Sequence, residues 1–184
     1  REVETLARAY EDWWKLVSTR FSEPIPVCLP ASEGDSVTLT AHDWRNESCE
    51  VPWHQGMIRE GLIEQGQWEI EVREPGRYEV ALYRWPDESG HRLTAGIDGD
   101  DVAWRADAIP QWSHRLYTGG RALAIEQADL RIGDVVDQRV AVDESDQAAR
   151  FTCTLPAGVT TLTGSFAISD DQSVGAYYAV VTRL

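Results

Sequence analysis

One short stretch of the chain holds the side chains from which a recognition site is built: His42, Asp43, Trp44, Trp53, His54, Gln55 and Arg59. An indole offers a broad apolar face with a polar edge, suited to a sugar ring or to another protein surface. The imidazoles, the carboxylate and the amide exchange hydrogen bonds with hydroxyls or with a sulfate. Arg59 can fork onto an oxyanion. Each residue also has a plainer use. Trp44 and Trp53 can pack in a core or between domains. The polar groups can brace their own loop, and Arg59 can pair with Glu60 or Glu64. The residue types alone leave both uses open.

Catalytic signatures are missing. The chain has no nucleophile elbow, phosphate-binding glycine loop, dinucleotide fingerprint or zinc-protease helix motif. His42-Asp43 and Ser113-His114 each juxtapose catalytic residue types, but neighbours on an extended chain point to opposite faces. Asp98, Asp100 and Asp101 lack the later bidentate Glu of a calcium loop and read as a solvated acidic turn. With 31 acidic residues, coincidental carboxylate pairs are unavoidable, and none stands out. The cysteines, Cys28, Cys49 and Cys153, show no metal or redox spacing. Cys153 shares a face with Phe151 and Leu155 and is expected in the core. Pairing of Cys28 with Cys49 stays open. No metal or cofactor is expected in this chain.

A formal charge of −14 argues against nucleic acid and anionic membrane as partners. It also disfavours polyanionic glycans unless arginines gather locally, and Lys15 is the one lysine among 17 basic residues. No apolar run approaches the ~18 residues of a membrane span, and Arg1 to Val17 has no signal-peptide centre.

These residues need a frame. Val3, Leu6, Tyr10, Trp13, Trp14 and Val17 recur at helical spacing, which predicts one amphipathic helix over Glu2 to Ser18. Pro24 and Pro26 end it. From Val37 the period becomes two: Trp68, Ile70, Val72; Tyr78, Val80, Leu82; Ala128, Leu130, Ile132; Phe151, Cys153, Leu155; and a closing strand over Tyr177 to Val181. Turns are expected at Glu74 to Arg77, Gly133-Asp134 and Pro156 to Gly158. The expected fold is all-β, an antiparallel β-sandwich with one N-terminal amphipathic helix and no second helix. Trp68 belongs to the core, and Trp85 closes a strand at the rim. Two long irregular segments, Ala41 to Gly66 and Pro86 to Gly120, are the natural place for binding. The second carries Trp104, Trp112, His114 and Tyr117.

The segments YEDWWKLVSTRF, HDW, PWHQGMIREGL, QWEIEVREPGRYEVALYRWP and GAYYAVVTRL occur in an order that resembles the C-terminal region of bacterial sulfatases of the arylsulfatase type, as found in planctomycetes. The likeness runs from Tyr10 to Leu184. It implies a jelly-roll, galactose-binding-like sandwich over residues 24–184, with residues 1–23 leading from a catalytic domain that lies outside this sequence. It implies no catalytic residue here: Cys28-Leu29-Pro30-Ala31-Ser32 has Ser32 where the formylglycine signature requires Arg. The parent enzyme would use calcium and formylglycine and would be exported to the periplasm or beyond. The partners implied are that catalytic domain and a sulfated glycan. An autonomous carbohydrate-binding module is the alternative reading.

Overall fold

A computed structural model describes residues 2–23, 25–46, 51–98 and 119–184. Pro24, Cys49, Asp100, Asp101, Trp104, Trp112, His114 and Tyr117 lie outside the described residues, and with them the Cys28–Cys49 question. The described part has ten strands: β1 (Val27–Cys28), β2 (Ser36–Thr40), β3 (Trp68–Val72), β4 (Gly76–Tyr83), β5 (Gln127–Ile132), β6 (Val136–Ala141), β7 (Ala149–Leu155), β8 (Gly158–Ser169), β9 (Gln172–Gly175) and β10 (Tyr178–Arg183). The helices are α1 (Glu2–Val17), which continues as a 3₁₀ turn to Arg20, and α2 (Gln55–Glu60).

The strands form two sheets, β1-β3-β8-β5-β6 with β9 also on β8, and β2-β10-β4-β7. Pairing is antiparallel except for β1 beside β3. The alternation in β3 and β7 puts Trp68, Ile70 and Val72 from one sheet, and Phe151, Cys153 and Leu155 from the other, into one buried layer. Apolar residues at every second position must leave water together, which fixes the register of both sheets. The expected sandwich is therefore present.

Two turn signals connect something other than adjacent strands. The turn before Gly76 joins β3 to β4, and Pro156-Ala157 joins β7 to β8, yet each pair is split between the two sheets. Strand β3 pairs with β8, and β4 with β7. Of the three expected turns, Gly133-Asp134 alone closes a hairpin, β5 to β6; Asp170-Asp171 closes another, β8 to β9. The ladder is thus nested, with β3 on β8, β4 on β7 and β5 on β6. A ribbon folded over in this way buries one face of each strand without a partner immediately along the chain.

Trp44 is 5% exposed and belongs to the core. Its ring meets Trp68 edge-to-face at 5.7 Å and lies 6.0 Å from Tyr177. Two glycines make the slot. A Cβ on Gly66 would stand 2.5 Å from the Trp44 side chain, and one on Gly175 would stand 2.4 Å from its ring. Trp85 is likewise buried rather than at the rim. Beside it the guanidinium of Arg84, fully buried, stacks 4.5 Å from the indole centroid. That guanidinium donates to the carbonyls of Ala95, at 3.0 Å, and Arg121. Loss of water around it lowers its pKa to about 10, so the charge persists at neutral pH and is met by carbonyl dipoles.

Helix α1 buries none of its residues. Tyr10, Trp13, Trp14 and Phe21 stack on one another along one side, with Trp13 still 53% and Trp14 40% exposed.

Two outcomes follow for stability. Gly175→Ala should cost about 1–3 kcal/mol by overpacking. The cost should shrink in a Trp44→Phe background, which removes the ring atoms that a Cβ at 175 would strike; a denaturant double-mutant cycle measures this. Burial raises the Cys153 thiol from 9.0 to about 11 and raises the Tyr177 phenol as well. Because the folded thiol keeps its proton to higher pH than the unfolded one, its stabilising share is complete below about pH 9. That share is lost as pH rises through about 11. The urea midpoint should fall across this window, less steeply in Cys153→Ala. A midpoint independent of pH would contradict the assignment.

Candidate functional site

The segment from β2 to β3 crosses one end of the sandwich and is pinned at several points. The indole N–H of Trp68 donates to the Thr40 carbonyl at 2.7 Å. The Ala41 N–H donates to the Tyr177 carbonyl at 2.7 Å, and Tyr177 Oη donates to the Leu62 carbonyl at 2.8 Å. Arg45 and Gln67 bridge through paired backbone bonds. Between these pins the chain makes a 3₁₀ turn at Ala41–Asp43 and the short helix α2.

Helix α2 was not expected, because six residues are too few to show a helical period. Buried Gly56 and Ile58 seat it on the core. Gly61, in the left-handed region at φ 71°, ends it. The Gly61 N–H donates to the Ile58 carbonyl at 3.1 Å and the Leu62 N–H to the Met57 carbonyl at 3.0 Å, which closes the last turn.

Of the seven predicted residues, four line one groove. His42, Trp53, His54 and Gln55 meet Thr40 and Tyr178 around a volume of about 270 Å³. Trp53 stands out from the surface, 59% exposed. Its ring and the His54 imidazole are perpendicular, with centroids 4.4 Å apart. His54 turns Nδ1 inward, shut from solvent and without a hydrogen-bond partner among the described residues. Gln55 Nε2 donates to Tyr178 Oη at 2.6 Å. Burial raises the Tyr178 phenol above its ordinary value, which keeps the hydroxyl protonated at neutral pH.

The other three predicted residues do different work. Of the two uses left open for Trp44, ligand contact is set aside and core packing stands, for the two-glycine slot described above. Asp43 braces its turn by accepting a hydrogen bond from Thr40 Oγ1 at 3.3 Å. Arg59 sits toward the end of α2, outside the groove lining. Its carbonyl accepts the Arg121 N–H at 2.7 Å, which ties α2 to the segment that follows Gly120. No Arg, Lys, Asp or Glu is among the described residues lining the groove.

Sequence reasoning missed Tyr178. It falls in a near-continuous apolar strand, where alternation cannot show which face a residue takes. A wider, shallower depression of about 460 Å³ lies beside Asn46, Gln65 and Ser173, but it has no aromatic ring. Among the described residues no cluster of His, Cys, Asp or Glu is arranged to hold a metal ion. Cys28 donates to the Glu71 carboxylate at 3.2 Å. The Glu71 bond holds the thiol above its ordinary pKa, the opposite of an activated nucleophile.

No protein-family model and no curated protein sequence matches the chain. The class of the protein therefore rests on its own structure: a two-sheet β-sandwich with a polar-aromatic groove at one end and an exposed aromatic helix.

The two indoles should separate cleanly by mutation. Trp53→Ala should change stability by no more than about 0.5 kcal/mol, as an exposed position does. Trp44→Ala should cost about 3–5 kcal/mol by leaving a cavity. Thermal or urea unfolding of both variants measures the contrast.

Proposed function

We propose that this chain is a non-catalytic accessory domain of an arylsulfatase-type sulfuric ester hydrolase. It docks on the catalytic domain of that enzyme and adds a carbohydrate-contacting groove. The reading begins from the sequence resemblance over Tyr10 to Leu184. The nested ladder of β3 on β8, β4 on β7 and β5 on β6 supports a jelly-roll type for the sandwich.

The observation that carries the docking half is helix α1. A 16-residue helix that buries none of its side chains is marginal by itself in water. Its aromatic side, Tyr10, Trp13 and Trp14, together with Phe21 just beyond its end, is a large apolar surface that gains stability when covered. The sandwich does not cover it. A protein surface supplied by the same enzyme is the natural cover, and catalytic chemistry, with calcium and formylglycine, would belong to that domain. Export to the periplasm or the cell exterior follows from the same parentage. The groove favours the second reading, an autonomous carbohydrate-binding module, only if it binds sugar with α1 disabled.

Analytical ultracentrifugation of the chain tests the docking half. The uncovered aromatic side should drive reversible self-association at tens of micromolar. Trp13→Glu with Trp14→Glu should give a monomer with the unfolding midpoint of the sandwich unchanged. A wild-type chain that stays monomeric up to millimolar concentration, or a double variant that loses the β-sheet signal, contradicts it. Hydrolysis of 4-nitrophenyl sulfate by the purified chain would overturn the accessory reading.

A further inference from the structure

We infer that the groove at Trp53 takes an uncharged sugar ring rather than a sulfated one. The inference rests on the accessory-domain reading for its ligand class and then narrows it.

Trp53 supplies the apolar platform. Its ring is more than half exposed, and the perpendicular His54 imidazole packs against it at 4.4 Å. A sugar ring has an apolar face of C–H groups and a rim of hydroxyls. The groove has the matching parts, an indole face beside a row of hydrogen-bonding groups. Tyr178 Oη already accepts from Gln55 Nε2 at 2.6 Å, so its own proton is left to donate. Gln55 keeps its carbonyl oxygen as an acceptor held in place by that same bond. His42 and Thr40 extend the polar rim. A groove of about 270 Å³ lies just under the ~300–1,000 Å³ of sites for drug-sized ligands, which suits one ring, with the rest of a chain running into solvent.

Charge decides between sulfated and unsulfated sugar. A sulfate taken from water needs a cation or several N–H donors to replace its hydration. Among the described lining residues there is no guanidinium or ammonium, and Arg59 sits outside the lining. The only basic side chains among them are the imidazoles of His42 and His54, the latter with Nδ1 shut from solvent. The whole chain adds a field of formal charge −14, which lowers the local concentration of any anion. The carboxylates nearest the groove, Asp43 on Thr40 Oγ1 at 3.3 Å and Glu88 acting on the Tyr178 phenol, add to the repulsion of an anion. The groove therefore fits the unsulfated residues of a glycan whose sulfated residues are handled elsewhere in the enzyme.

The test is titration of the isotopically labelled chain with methyl glycosides of glucose, galactose, mannose, xylose and fucose, and with their monosulfates, up to about 100 mM. The Trp53 indole N–H and the Gln55 side-chain amide are read by NMR. At least one neutral glycoside should shift both signals saturably. Its sulfate ester should bind at least about ten-fold more weakly. Trp53→Ala should abolish the response, and Tyr178→Phe should weaken it about five-fold or more by removing a donor, both with native unfolding midpoints. Trp13→Glu with Trp14→Glu should leave it intact, so a failure of docking is visible separately. Saturable shifts from no neutral glycoside, tighter binding of a sulfate ester, or a response centred away from Trp53 overturns the inference.

Discussion

The structure depends on one aromatic junction. Trp68 hangs from β3 into the core and donates its indole N–H to the Thr40 carbonyl at 2.7 Å. Trp44 lies edge-to-face against it, and Tyr177 closes the other side. A buried indole N–H gains from an acceptor, and the half-buried Thr40 carbonyl at the end of β2 supplies one, whereas the buried Trp44 indole N–H beside it has no partner among the described residues. The Trp68 bond ties the end of β2 to β3. It draws the loop that follows across the end of the sandwich. The groove walls start from this junction: His42 lies two residues beyond Thr40, and Tyr178 is the neighbour of Tyr177.

The junction also explains the division between rigid and exposed rings. Trp44 and Trp53 lie close in sequence and share polar neighbours, yet one is sealed and the other stands in solvent. Gly66 and Gly175 decide this. Gly66 lies in the segment just before β3 and Gly175 ends β9, and any side chain at either position would occupy the space of the Trp44 side chain. Trp53 has no such slot and rests on His54 instead. Framework and recognition are thus separate tasks given to the same residue type by two distant glycines.

Much of the frame was legible in the sequence. Alternation identified β3, β4, β5 and β7, and helical spacing identified α1 to within a residue. The core positions of Trp68 and Cys153 followed from the same periods. Pairing was not legible. The turns before Gly76 and after Leu155 have hairpin chemistry, but they cross between sheets, because a turn dictates reversal of direction and not the sheet to which the next strand belongs. Helix α2 is shorter than a helical period can show. Four of the seven proposed site residues came together, since the Ala41–Asp43 turn and the start of α2 meet at Tyr178. The burial of Trp44 depended on glycines remote along the chain, and the role of Tyr178 on a strand apolar on both faces. Neither leaves a local signal.

The central claim is that a single fixed junction presents an exposed Trp53 while α1 remains uncovered. Hydrogen exchange of the indole N–H groups, followed residue by residue, tests it most directly. The Trp68 proton should exchange only on global unfolding, with protection equal to that of the β3 and β10 backbone amides. The Trp53, Trp13 and Trp14 protons should exchange near the rate of a free indole. A Trp68 proton as fast as that of Trp53, or protected Trp13 and Trp14 in the monomeric chain, would contradict the account.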